Sequence, residues 1–523
     1  MNTPPRSAPR PAAPAAALAA GLGLALLAAC GPAPAEGPWR HGEIVEALRP
    51  TDTSAPLLWR YNPGDLVQSY ASPGGGFRVH YTLDGIHGVS SIDQDQDGVP
   101  DAVALVADTY DEIEAFFAAQ GLRAPLSDLD LPLPNGGDGR FDVYLLDFGF
   151  QSDGALQLDA CLDTSERQCV GYIVQENDFA GYPYPSYRDA VRIISSHEYV
   201  HAIQAAYDRG QGPVFDEGMA VWGSEAFDPS QHDLERFSEG YLSRLDRSLD
   251  VPPPGPVQAF SYGTGVFFQF VSERFSPALL WQLIAHTEVG QGLPGGSDSP
   301  ADPAWLSQLD LLLRAEAQSS FSEAFVEFGR GLYFTGPHAD PARGLAEGAA
   351  LAEPLSAQMT LPFDSGALRV FHAAIKRWEV TTPGPLYVAV ADATPDDGVD
   401  DLAELTLLAA GRSPSGEVGA LVERSGAALS EAQAIDPAGH SALLLSLINA
   451  RASGGSARAV LCAGDQAQVE ACLAPFLPPP AEPPPSEPPA ETGCACAAQG
   501  GGPESLSWLA LALLGLGRKR YYL

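Results

Sequence analysis

The sequence predicts an α+β fold that is followed by a second, all-β part. Short runs typical of strands come first, and amphipathic helical patterns follow over a long central stretch. From about residue 367 the chain changes to short alternating runs with turn residues between them, which indicates a small β-sandwich. A chain of 523 residues is too long for one hydrophobic core, so we expect two or three folded units plus tails.

The composition is that of an exported globular protein that binds cations. Hydrophobic residues make up 45% of the chain and aromatic residues 9%. The 66 acidic and 29 basic residues give a formal net charge of -37. Nucleic acid and anionic lipid surfaces both require a basic face, so this charge argues against either as a partner.

Residues 1–30 are typical of an export signal. A leader with two arginines precedes an apolar run that ends at Leu-Ala-Ala-Cys30, which resembles a bacterial lipobox. In that case Cys30 is lipidated, becomes the mature N-terminus and anchors the chain to a membrane. The alternative is an ordinary signal peptide with an incidental cysteine. Residues 31–75 are rich in Pro, Ala and Gly, and we expect them to form a tether.

Residues 76–340 form the first predicted domain, a small β-sheet with helices. Its periodic patterns place strands over 77–81, 141–146 and 170–174, and helices over 101–120, 234–245, 266–275, 279–286, 305–313 and 321–328. Two further helices are expected between residue 174 and residue 234, and they carry the strongest chemical signal in the chain.

That signal is His197-Glu198-Tyr199-Val200-His201. On an α-helix the two histidines lie one turn apart on one face, so both imidazoles can bind one metal ion while Glu198 lies beside it. Zinc in a hydrolytic site takes three protein ligands, so a third must come from elsewhere. Glu217 is the candidate, because residues 209–213 break the first helix and a second apolar helix can begin near Asp216.

His-Glu-x-x-His followed by Glu-Gly-x-Ala resembles the gluzincin metallopeptidases, the thermolysin-like and related enzymes. Together with the upstream motifs Asp-Gly-x-Pro-Asp and Gly-Asp-Gly-Arg-Phe-Asp-x-Tyr, the pattern also resembles a family of secreted metalloproteases from myxobacteria, over roughly residues 76–340. The resemblance implies a thermolysin-like catalytic domain. It implies zinc bound by His197, His201 and Glu217, and it makes Glu198 the general base and later the proton donor.

Gluzincins commonly supply a tyrosine or histidine downstream of the third ligand to stabilise the oxyanion. Tyr262, at a glycine-flanked helix start, is the candidate, and a core tyrosine is the alternative. We expect a zinc metallopeptidase acting on protein or peptide substrates. Gly-x-Met-x-Asn, by which the aminopeptidase branch recognises a free amine, is absent upstream of His197, which favours an endopeptidase. The rival is a non-catalytic surface binding protein on a degenerate metallopeptidase scaffold.

Residues 93–101, here called the aspartate loop, predict a structural calcium site. Alternate aspartates around a glycine turn direct several hard oxygens at one point, which suits Ca²⁺. The loop is not an EF-hand, because Ala104 stands at the twelfth position, and it more closely resembles the short loops of thrombospondin type 3 repeats. An acidic turn that caps the next helix is the alternative. The candidate ligands are Asp93, Asp95, Asp97 and Asp101.

Export implies an oxidising compartment, where cysteines close in sequence form local disulfides. We therefore expect the pairs Cys161 with Cys169 and Cys462 with Cys472. The second pair lies in the predicted β-sandwich, residues 365–475, which carries no catalytic constellation.

A proline-rich linker over 477–492 leads to a tail over 493–523. The tail has Gly-Cys-Ala-Cys, an apolar stretch and a basic end, and it resembles the myxobacterial C-terminal sorting signal. A hydrophobic tail anchor is the alternative. Either anchor predicts a place in the bacterial cell envelope, at the outer membrane or cell surface, with possible release.

Overall fold

The computed structural model describes residues 48–53, 57–131, 134–162, 167–254, 259–296, 298, 300–382, 384–413 and 415–477. The export signal with Cys30, the proline-rich linker except Leu477, and the sorting tail lie outside the described residues. Within the described ranges, we find no helix with the length and apolar character that crossing a bilayer requires. The architecture is α+β, as predicted.

A mixed five-stranded sheet forms the N-terminal part. Its strands are β1 Gln68–Ala71, β2 Phe77–Tyr81, β3 Phe141–Leu146, β4 Gly154–Cys161 and β5 Cys169–Glu176. They are ordered β1-β2-β3-β5-β4, so β4 lies at one edge and pairs antiparallel with β5. The pairs β2–β3 and β3–β5 are parallel. Helix α1, Asp101–Ala119, connects β2 to β3.

Side chains alternate between the two faces of this sheet along each strand, and both faces are buried. Val143 and Leu145 of β3 face α1 and the following helix, whereas Tyr144 and Leu146 face a second cluster that includes Tyr61. The Tyr61 hydroxyl donates to the backbone carbonyl oxygens of two neighbouring strands, at 2.9 and 3.1 Å.

The described part of the predicted tether therefore belongs to the fold. Tyr61 is fully buried, Arg49 is 3% exposed, and β1 is a strand of the sheet. The Pro- and Gly-rich composition does not predict this packing, because only single side chains and the four residues of β1 contribute to it.

Helices make up most of the next part of the chain. They are α2 Tyr187–Tyr207, α3 Pro213–Phe227, α4 Asp233–Leu242, α5 Ala259–Gly263, α6 Gly265–Arg274, α7 Pro277–His286, α8 Trp305–Glu316 and α9 Phe321–Gly331. Aromatic side chains fill the space between them. The ring of Phe267, for example, contacts the rings of Phe268, Phe321 and Phe325.

Two five-stranded sheets form the C-terminal part. Their strands are β6 Ala357–Gln358, β7 Phe363–Asp364, β8 Leu368–Val370, β9 Ala374–Thr381, β10 Leu386–Asp392, β11 Leu405–Arg412, β12 Val422–Ser425, β13 Gln433–Ile435, β14 Ala442–Asn449 and β15 Ala457–Gly464. One sheet has the order β12-β11-β14-β9-β6, and the other β13-β10-β15-β7 with β8 also on β15. The short runs 386–390, 405–408, 442–445 and 459–461, which predict strands of the β-sandwich, correspond to β10, β11, β14 and β15.

The sheet that contains β14 is buried on both faces. Leu443, Leu445 and Leu447 pack into the interior of the sandwich, while Leu444 and Ile448 pack into the same core as the helices. Such burial explains why β14 is apolar from Ala442 to Ile448 except at Ser446. The described residues form one compact unit, and the proposed boundary between a catalytic domain and a β-domain stays a prediction.

Both predicted disulfides are confirmed. Cys161 and Cys169 join the paired strands β4 and β5. Cys462 of β15 is bonded to Cys472 of the last helix, α10 Gln466–Leu473, and so ties this helix to the sandwich.

Candidate metal centre

Helices α2 and α3 position the predicted metal ligands. The side chain of Ser186 caps the start of α2 by accepting from the backbone N–H of Asp189, and His197 and His201 lie in its central and C-terminal turns. After α2 the chain turns through Gly212, whose φ of 92° suits glycine. Pro213 then opens α3, which carries Glu217 in its first half.

The three predicted ligand atoms form a nearly equilateral triangle. His197 Nε2 lies 3.1 Å from His201 Nε2 and 3.3 Å from Glu217 Oε2, and the third side, from His201 Nε2 to Glu217 Oε2, is 3.4 Å. Bonds of about 2.0–2.1 Å in a tetrahedral site place neighbouring ligand atoms about 3.3–3.4 Å apart. The triangle therefore fits a zinc ion without rearrangement.

A hydrogen bond at Nδ1 determines which nitrogen of neutral His201 has its lone pair toward the centre of the triangle. Its Nδ1 lies 2.9 Å from Oε1 of Gln204, an acceptor that requires the ring proton on Nδ1. The Gln204 amide is itself oriented, because its Nε2 donates to the backbone oxygen of Asp216 at 3.1 Å. In the neutral ring Nε2 is then unprotonated, which is the state that binds a metal ion.

Glu217 is held by close packing of α3 against the helices α5 and α6. A Cβ at Gly218 would lie 2.3 Å from Oγ1 of Thr264 and 2.8 Å from the Phe268 ring, so no side chain fits there. Burial alone would raise the pKa of Glu217, but His201 and His197 outweigh it and lower that pKa. In the same pair burial lowers the pKa of His201, and Glu217 raises it further than burial lowers it. The carboxylate is thus ionised and ready to bind a cation.

Glu198 lies between α2 and the edge strand β4. It is 2% exposed, and the backbone N–H of Leu156 donates to its carboxylate. A Cβ at Gly154 would lie 3.0 Å from Glu198 Cγ and 3.1 Å from its Oε1, so glycine makes room for the acid. Burial raises the pKa of Glu198, and the charge of Glu217 raises it further. These effects outweigh the two histidines, which lower it. A raised pKa brings a carboxylate closer to the range in which a general base works best.

Tyr262 lies beside the metal ligands. Its ring stacks on His197 with centroids 5.9 Å apart and an interplanar angle of 25°, and its other neighbour is Phe237 at 5.0 Å. It is 8% exposed. The structure therefore brings Tyr262 next to the triangle, and its role in stabilising an oxyanion stays a prediction.

A buried aspartate at the start of β4 was not anticipated. Asp153 accepts a hydrogen bond from the Tyr184 hydroxyl, and its charge interacts with those of Glu198 and His197. Burial raises the pKa of Asp153 to about 7. Isolated aspartates carry no motif, so only the pairing of β4 with β5 reveals this neighbour.

The aspartate loop brings three of its four predicted ligands together. Carboxylate oxygens of Asp93, Asp95 and Asp101 lie within 4.8 Å of one another. Asp97 is not part of this group, and its Oδ1 accepts from the backbone N–H of Val99 at 2.8 Å. Hydrogen bonds within the loop also use these carboxylates, since Asp101 Oδ1 accepts from the Gln94 N–H at 3.0 Å.

The sequence alone missed the residues that surround the ligands. Gln204 lies three positions after His201 on the same helix, a spacing that places both side chains on one face and is the one available signal. Strand β4, with Asp153 and Gly154 at its start, was also missed. No protein-family model matches the chain, and no curated protein matches it either.

Proposed function

We propose that the protein is a zinc metallopeptidase with a thermolysin-like catalytic domain, and that it cleaves within peptide chains. One observation carries the proposal, namely the triangle of His197, His201 and Glu217 with sides of 3.1, 3.3 and 3.4 Å beside a buried Glu198. Two imidazoles and one carboxylate are the donor set of many hydrolytic zinc sites.

Each of these side chains has a distinct role in the proposed reaction. His197, His201 and Glu217 would hold zinc, which when bound supplies a Lewis acid that polarises a carbonyl and makes water more acidic. Glu198 takes a proton from the attacking water and later delivers it to the leaving amine. Tyr262, stacked on His197, is proposed to donate a hydrogen bond to the oxygen on which negative charge develops.

The edge strand β4 supports a peptide as substrate. Among the described strands it pairs with β5 alone, so backbone groups of its other edge, apart from the Leu156 N–H that donates to Glu198, can pair with an extended chain. Leu156 and Leu158 of β4 are at least partly exposed, and Leu156 lies against Glu198. A peptide added along β4 would pass the metal centre, and the absence of Gly-x-Met-x-Asn upstream of His197 favours cleavage within a chain.

The proposal also includes the cellular location of the enzyme. We propose export to the cell envelope, with anchoring by lipid on Cys30, by the C-terminal sorting tail, or by both. The two disulfides are compatible with an oxidising compartment. The aspartate loop is proposed to bind Ca²⁺ and to have a structural role.

Two substitutions test the assignment of roles. Glu198→Gln removes the base but no ligand, so zinc content should stay at the wild-type value while hydrolysis of casein or a peptide library falls about 10²–10⁴-fold. His201→Ala removes a ligand and should lower zinc content together with activity. The matched control is His286→Ala, because His286 lies on α7 and its hydrogen bond among the described residues is with the backbone oxygen of Gln291.

Each outcome separates the enzyme from its rival. Wild-type protein that binds zinc and cleaves no peptide in the library would favour the non-catalytic surface protein. Loss of zinc from Glu198→Gln as complete as from His201→Ala would contradict the role of Glu198 as base.

A further inference from the structure

A second group of metal-binding side chains lies at the other end of α3. One ligand atom each from Glu225, His232 and Glu235 falls within 4.8 Å of the other two. Glu225 is near the C-terminus of α3, His232 is the residue before α4, and Glu235 is in the first turn of α4. Glu225 follows Glu217 by eight positions on the same helix, which is about 12 Å along the axis. This group is therefore separate from the candidate metal centre.

The backbone at the start of α4 is shaped to bring these side chains together. His232 adopts a left-handed conformation with φ 59°, which is uncommon for a residue with a side chain. Its backbone N–H donates to the carboxylate of Glu225, and its Nδ1 lies 3.5 Å from Oε1 of Glu235. One residue thus contacts both glutamates, one through its backbone and the other through its ring.

Two carboxylate oxygens in this group are buried and lack a hydrogen-bond partner among the described residues. Oε2 of Glu225 and Oε2 of Glu235 are shielded from solvent, and neither has a hydrogen-bond partner in the described part of the chain. The Glu235 side chain is 9% exposed. The nearby guanidinium of Arg236 pairs with Asp233 at 3.0 Å. A buried carboxylate oxygen without a hydrogen-bond partner is costly, and a bound cation removes that cost.

We propose that Glu225, His232 and Glu235 bind a divalent transition-metal ion of the zinc class, which fixes the junction of α3 and α4. An imidazole nitrogen with two carboxylates suits Zn²⁺ and its neighbours better than Ca²⁺, which prefers oxygen ligands alone. The His232 side chain is 66% exposed, so solvent can supply an ion and the remaining water ligands. Ligand atoms up to 4.8 Å apart would move closer on binding.

The competing explanation is a proton shared by the two glutamates. Burial and the neighbouring Glu235 raise the pKa of Glu225 to about 7, so one proton can occupy this place when no ion does. Metal binding and proton sharing differ in one measurable respect, which is the number of ions that the chain retains.

The test counts ions per chain by mass spectrometry on the full-length protein, first stripped by a chelator and then dialysed against micromolar Zn²⁺. Wild type should retain one ion more than His232→Asn and one more than Glu225→Gln. His232→Asn changes an exposed side chain, and asparagine tolerates the left-handed conformation, so the fold should persist. His286→Ala is the control for adventitious binding to a surface histidine and should retain the wild-type number.

The proposal does not depend on the metallopeptidase assignment. His201→Ala should lose the ion at the candidate metal centre, and His201→Ala combined with His232→Asn should lose both. Equal ion counts for wild type, His232→Asn and Glu225→Gln would overturn the second site even if His201→Ala behaves as expected. Loss of one ion in His232→Asn with no loss in His201→Ala would support the second site and contradict the candidate metal centre.

Discussion

Replacing Gln204 by leucine should weaken zinc binding without touching a ligand. Gln204 is 3% exposed, and its Oε1 accepts the Nδ1 proton of His201 at 2.9 Å. Leucine is similar in size but cannot accept that proton. The imidazole then loses the contact that fixes its orientation, and protonation on Nε2 would direct a hydrogen instead of a lone pair at the metal.

The expected loss follows from the kind of contact removed. Partners that orient a ligating histidine are typically worth about 10–100-fold in metal affinity, which is about 1.4–2.7 kcal/mol. A second effect acts on folding, because the amide also donates to the backbone oxygen of Asp216 at 3.1 Å. Asp216 lies within α3, where its oxygen keeps the helical hydrogen bond, so the loss of the Gln204 donor should lower the free energy of unfolding by about 0.5–1.5 kcal/mol.

Competition with a chromophoric chelator measures the zinc affinity, and thermal melting of the metal-free protein measures the folding effect. Gln204→Glu is the matched control, since a carboxylate still accepts from His201 Nδ1 but cannot donate to Asp216. Its zinc affinity should remain within about tenfold of wild type although its melting temperature falls. Wild-type affinity in Gln204→Leu, with the variant folded, would refute the assignment of the proton to Nδ1.

Three further predictions concern stability. Replacing Cys462 and Cys472 together by alanine should lower the free energy of unfolding by about 3 kcal/mol, measured by denaturant titration, because the bridge closes a loop of sequence separation 10. Chelating calcium should lower the melting temperature through the aspartate loop and leave zinc bound, whereas equal melting temperatures would contradict a calcium site. Burial raises the pKa of Asp159 from 3.8 to about 7 despite its pairing with Arg49, so the native state keeps a proton that the unfolded chain loses. The free energy of unfolding should therefore fall as the pH rises between these two values. Denaturant titrations at pH 5 and pH 8 should show a smaller difference between the two pH values for Asp159→Asn than for wild type.

The parts of the site that the sequence predicted depend on local spacing. His197 and His201 share a helix face because four residues make about one turn, and this holds wherever the helix packs. The strand β3 was likewise predicted with its observed bounds, Phe141–Leu146, from a short apolar run after a glycine-rich turn.

The unpredicted parts depend on pairing between distant segments. Strand β4 alternates leucine with Gln157 and Asp159 but has no β-branched or aromatic residue, so its signal is weak, and it acquires its position by pairing with β5. Gln204 gains its role because α3 brings the backbone of Asp216 within reach. Tyr61 shows no periodic pattern, and its burial follows from two carbonyl oxygens of the sheet.

Helix α3 explains why the ligand triangle has the dimensions of a zinc site. On one side Gly218 lies against Thr264, and on another a Cβ at Gly223 would lie 2.8 Å from Cγ2 of Val200 on α2. Both contacts are too close for any side chain larger than hydrogen. Gly223 sets the separation of α3 from α2 and Gly218 sets that of α3 from α6, and together they position Glu217. A site set by such packing loses little conformational entropy on binding an ion, and the metal-free protein should therefore keep its fold.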